Sequence, residues 1–94
     1  MVDRQIHKSQ EQLSSATLDQ HRALVSLIEE LEAVDWYMQR IDAADNDELK
    51  RILEHNRQEE LEHAAMLLEW LRRKDDILAK ELKDNLFTDK AIAQ

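Results

Sequence analysis

The chain has 94 residues, a formal net charge of −8, and no Gly, Pro or Cys. That length allows one small domain with a modest core, and the missing cysteines exclude disulfides, zinc fingers and iron–sulfur clusters. The acidic balance argues against a nucleic-acid partner and favours cations; no apolar run approaches the roughly 20 residues that span a membrane, and no signal-peptide core is visible.

Without Gly and Pro, tight turns that need positive φ are hard to make and helix breakers are absent. Leu, Ala, Glu, Lys, Gln and Arg dominate, and all are good helix formers. Two Trp, one Tyr and one Phe are too few aromatics for a β-sandwich or barrel. The expected fold is all-α, with two long antiparallel helices and a short C-terminal one. Helices this few cannot cover both their faces alone, so the chain is expected to oligomerise.

Residues 1–14 are polar, with Ile6 and Leu13 too sparse to form a stripe, and read as a frayed lead-in. Ser14, Ser15 or Thr17 can cap the first helix, which is expected from about Thr17 to Ala43. At about 100° per residue, Ala23, Leu27, Val34, Tyr37 and Ile41 lie within about 60° of Glu30. An acid is thus embedded in an apolar stripe. The adjacent face carries Glu29, Glu32, Trp36 and Val25. Ala43 to Asp47 is the strong break in the chain, short enough to fold the next helix back as a hairpin.

The second helix is expected from Asp47 to Arg73, capped by Asp45 or Asn46 and ending in basic residues that suit a C-terminus. Leu49, Leu53, Glu60, Leu67 and Leu71 share one stripe, with Asn56 and His63 beside it. A third helix is expected from Asp76 to Asn85, and residues 87–94 form an irregular tail of the same single domain, 1–94.

Glu-x-x-His at positions 60 and 63 places a carboxylate and an imidazole on one helix face. An ionised carboxylate is expensive to bury without compensation, and a metal ion supplies it. Glu30 stands 15 residues before Asp45 and Glu60 stands 15 after it. At about 1.5 Å of rise per residue each lies roughly 22 Å from the turn, so the hairpin levels them. One acid plus one Glu-x-x-His is half of a carboxylate-bridged di-iron site, which takes its ligands from four helices. A second copy related by a two-fold axis supplies the other half. Carboxylates with imidazole suit iron or manganese, with zinc or calcium as surrogate ions. Tyr37, on the Glu30 face, is placed to hydrogen-bond the site or give up an electron.

The segments Glu29-Glu30-Leu31-Glu32-Ala33-Val34-Asp35-Trp36-Tyr37 and His55 to Met66, which contains Glu59-Glu60-Leu61-Glu62-His63, resemble the encapsulated ferritins of bacteria. The similar stretch runs from about Leu18 to Lys90. The resemblance implies a ferroxidase, an Fe(II):oxygen oxidoreductase serving iron storage, whose two-helix subunits dimerise into a ferritin-like four-helix bundle. It implies a ring of five dimers, a decamer, inside an encapsulin shell in the cytoplasm. By position, Glu30, Glu60 and His63 match its iron ligands and Tyr37 the tyrosine beside them. Glu29 and Glu32 match an outer metal site near Trp36. Family members usually end in a short Gly-containing peptide that docks them to the shell. This sequence contains no Gly, so the shell partner is expected from the resemblance alone.

Plainer readings stand beside these. A Glu-x-x-His arises often by chance in an acidic helix. Glu29 and Glu32 form an ordinary charged face unless the resemblance holds, and Glu59 and Glu62 are expected at the surface. His7, His21 and His55 are expected exposed, and Met66 and Trp70 are expected in the helix interface. The rival functions are a metal-stabilised helical assembly module without turnover and a manganese or peroxide-handling relative on the same bundle.

Overall fold

The computed structural model describes residues 6–93, and the described residues contain helices and no strands. Residues 1–5 of the expected lead-in lie outside them. Within its remainder, Gln10–Gln12 make one 3-10 turn, where the Ser9 amide donates to Gln12 Oε1 at 3.3 Å.

Helix α1 runs Ser15–Ala43. Its cap is Ser14, whose hydroxyl oxygen accepts from the Thr17 amide at 3.1 Å. Thr17 is therefore the third helical residue, and α1 starts two positions before the expected start at Thr17. Ala44, Asp45 and Asn46 make the turn, and Asn46 Oδ1 accepts from the Leu49 amide at 2.9 Å to start α2, Asp47–Lys74. Asp47 and Glu48 then meet the positive end of the helix, and Arg72, Arg73 and Lys74 its negative end. Asp75 ends α2 and starts α3, Asp76–Asn85, its Oδ1 accepting from the amides of Ile77 and Leu78. With no glycine available, the left-handed position after α3 falls to Phe87, at φ 55°. That conformation costs a non-glycine residue about 1–2 kcal/mol.

The two long helices pack on each other, and α3 packs on α2. The buried core among the described residues is small: Ala23 of α1, with Ala64 and Leu71 of α2. Two small residues among the three let the helix backbones approach closely. Large apolar side chains stay outside. Leu24, Leu31 and Met38, seven residues apart, form a stripe along α1, each about half exposed at 47–50%. Ile52, Met66 and Trp70 do the same along α2 at 36–57%. Met66 thus departs from the expected interface position, whereas Trp70 lines a pocket with Ala16, Asp19 and Gln20 of α1, at the helix interface. On the helix wheel Met66 sits about 120° from Glu60, off the side that meets α1. His21 departs too, being half-buried where exposure was expected. No helix of the described residues is long and apolar enough to cross a membrane.

Candidate metal centre

The hairpin brings Glu30 from mid-α1 against Glu60 and His63 from mid-α2, as equal distances from the turn require. One ligand atom from each of the three residues lies within 4.8 Å of the other two. His63 Nδ1 is 3.4 Å from Glu30 Oε2 and 3.9 Å from Glu60 Oε2. Both separations exceed a good N–H···O bond. The two carboxylates are three-quarters buried, at 24% and 25% side-chain exposure, while His63 is 46% exposed.

Glu30 Oε2 is buried and has no hydrogen-bond partner. Leaving such an atom unsatisfied costs roughly 1–3 kcal/mol, more when it is charged, so native structures avoid it unless an ion or water supplies the missing contact. The donor set is chemically coherent: two hard carboxylates and one imidazole, the ligands that hold iron, manganese or zinc. These residues fit a divalent metal, and they are the one such group of three among the described residues.

The other sequence-predicted residues lie around this group. Tyr37 is half-buried two turns after Glu30, and the Arg40 guanidinium stands 5.6 Å from its ring centre. Among the described residues its hydroxyl makes no hydrogen bond to the three ligands. Glu29 and Glu32 lie on the neighbouring face of α1 with Trp36, which is 52% exposed, and outside the three-residue group. Glu59 is turned outward, its Oε1 2.7 Å from His55 Nε2, and Glu62 is exposed. One residue near the site escaped the sequence reading. Arg57, one turn before Glu60, has a buried Nε without a partner. Its place 60° from Glu60 on the helix wheel, at the edge of the apolar stripe, was the available signal.

The EncFtn-like family profile matches residues 5–89. An encapsulated ferritin-like protein of Rhodospirillum rubrum is 58% identical over 83 residues, which is 88% of this chain and 59% of that protein. An encapsulin nanocompartment cargo protein of Myxococcus xanthus is 44% identical over 55 residues, which is 58% of this chain and 42% of that protein. The chain therefore spans only about half the length of these relatives. The crystal structure of a protein from Nitrosomonas europaea is similar at a TM-score of 0.90 and 60% identity, covering 95% of this chain and 98% of the other. Likeness that runs through all three helices in both sequence and backbone has one explanation: this chain belongs to the EncFtn-like family, the encapsulated ferritin-like proteins.

Proposed function

We propose that the chain is a ferroxidase subunit whose di-iron centre is completed by a second copy. Fe(II) is the substrate. Glu30, Glu60 and His63 of each copy hold it between them, six side chains for two ions. With dioxygen as acceptor, two Fe(II) give up one electron each. Two protons enter with those electrons, and the products are hydrogen peroxide and two Fe(III). The observation that carries this reading is the buried, unpartnered Glu30 Oε2 facing Glu60 and His63. A cation bound between the three side chains would supply the contact that oxygen lacks.

Two further features support the second copy. The exposed edge of His63 faces outward, on the same side of α2 as Ile52 and Trp70. Apolar stripes of this extent on a small helical chain mark surfaces that bury against a partner. A hairpin of two helices also encloses no storage cavity, so oxidised iron has to be released to a compartment outside the subunit. The encapsulin cargo relative points to an encapsulin shell as that compartment, with Glu29, Glu32 and Trp36 as an outer acidic approach and Tyr37 beside the centre.

The test is aerobic Fe(II) oxidation by the purified chain beside its Glu30→Ala and His63→Ala variants, with assembly followed in parallel. The reading expects oxidation well above the buffer rate and its loss in both variants. Equal rates for all three proteins and buffer would leave a metal clip without turnover.

A further inference from the structure

Two buried polar atoms among the described side chains lack a hydrogen-bond partner, Glu30 Oε2 and Arg57 Nε. One belongs to an anion and the other to a cation, and neither is satisfied by the other. Arg57 precedes Glu60 by one helical turn, a spacing that puts β-carbons about 5–6 Å apart. An arginine side chain is long enough to cover that distance, so rotation alone brings the guanidinium to Glu60. In the structure it instead borders a cavity of about 300 Å³ with Met38, Ile41, Asp42 and Glu54. Asp42 and Glu54 are its obvious alternative partners. No ion pair joins Arg57 to either among the described residues. A permanent cation one helical turn from Glu60 is thus bonded to no acid among the described residues.

The consequence depends on what the acids hold. In the empty centre, two carboxylates per copy repel each other, and a nearby guanidinium offsets that repulsion. Around a bound ion, the guanidinium repels in proportion to the ion's charge, half as much again for a trivalent ion as for a divalent one. Carboxylates favour Fe(III) over Fe(II) for the same electrostatic reason. A centre built from them retains its own product unless something opposes that preference.

We propose that Arg57 is a charge-balancing residue that acts through Glu30 and Glu60, lowering the affinity of the centre for trivalent relative to divalent ions and so favouring release of oxidised iron. This rests on the ferroxidase reading above.

The experiment is binding, not turnover. The metal-free full chain is titrated with Tb(III), followed by luminescence, and with Mn(II), followed by electron paramagnetic resonance. Binding lost in Glu30→Ala defines the centre. The ratio of Tb(III) to Mn(II) association constants is then compared in the native chain, Arg57→Met, Arg57→Gln and Arg57→Lys. One charge acting at about 10 Å through an intermediate dielectric changes that ratio roughly fivefold. The ratio is expected to rise by about that factor in the two neutral variants and to stay near native in Arg57→Lys. Two neutral variants keep the test open if one fails to fold. An unchanged ratio in a folded neutral variant would overturn the proposal while leaving the metal centre standing. Arg57 would then be a hairpin residue for Asp42 and Glu54, visible as a lower melting temperature. If native binding of both ions ignored Glu30→Ala, the metal centre itself would fall, and the proposal with it.

Discussion

Two acid clusters on α2 use similar residues to opposite ends. At the C-terminal end, Glu69 accepts two bonds from Arg72, at 2.6 and 2.7 Å, and a third from Arg73 at 2.7 Å. The Arg72 bonds first, then the Arg73 bond, hold its carboxyl at about 2, well below its ordinary 4.5. That cluster is exposed and complete. At mid-helix, Glu60 and His63 meet Glu30 at distances too long for good hydrogen bonds, and one buried oxygen has no partner. Three potential ligand atoms converge there with an unmet valence. A satisfied cluster holds a helix end. An unsatisfied one, its two acids three-quarters buried in a two-helix hairpin with little core, is chemically suited to take a ligand as its missing member.

The largest effect should come from removing a member of the incomplete cluster. Changes to residues behind metal ligands commonly cost 10–100-fold. Glu60→Ala, which removes a ligand itself, should therefore lower the Fe(II) oxidation rate by at least about 100-fold in a stopped-flow assay. A loss of twofold or less would erase the distinction between the two clusters.

Next in size is metal removal. A ligand present at a hundred times its dissociation constant stabilises the state that binds it by about 2.7 kcal/mol. Chelation should lower the melting temperature by roughly 10–20 °C for a chain of this size and, in native mass spectrometry, shift dimers toward single chains. A metal-insensitive assembly would separate the centre from the interface.

The clusters should then respond in opposite directions to the same chemical change. In the metal-free chain, Glu30→Gln removes a buried charge that makes no hydrogen bond through Oε2 and repels Glu60, and should raise stability by about 1 kcal/mol. Glu69→Gln breaks a complete network and should lower it. Thermal melts of both variants in chelator would show the contrast, and a loss of stability in Glu30→Gln would break it.

The smallest effect is the pH dependence of that Glu69 contribution. Its folded carboxyl lies below the unfolded value, so the contribution is present above pH 4.5 and is lost as pH falls from there toward 2. The difference in melting temperature between the native chain and Glu69→Gln should narrow across that window. A constant difference would mean that the arginines hold the helix end by packing instead of charge.

Much of this molecule was readable before the fold was known, because its logic is one-dimensional. Long amphipathic helices, a break at Ala44 to Asn46 and equal counts to Glu30 and Glu60 are properties of spacing, and a hairpin converts spacing directly into contact. The rest depended on sides, not positions. Periodicity marks Met66 as apolar, yet which flank of α2 meets α1 is settled by where Ala23 and Ala64 let the backbones close, and that flank excludes Met66. Arg57 was overlooked because a charged residue beside a stripe reads as a solvated flank. Its buried Nε is visible only once α1 lies across it.

The central claim is that Glu30, Glu60 and His63 of two copies share one metal centre. Anomalous scattering from a crystal grown with Fe(II) or Mn(II) tests it most directly. The account predicts two ions at a two-fold axis, each bound by these side chains from both copies. Ions bound by one chain alone, or found away from Glu30 with the three residues left bare, would contradict it.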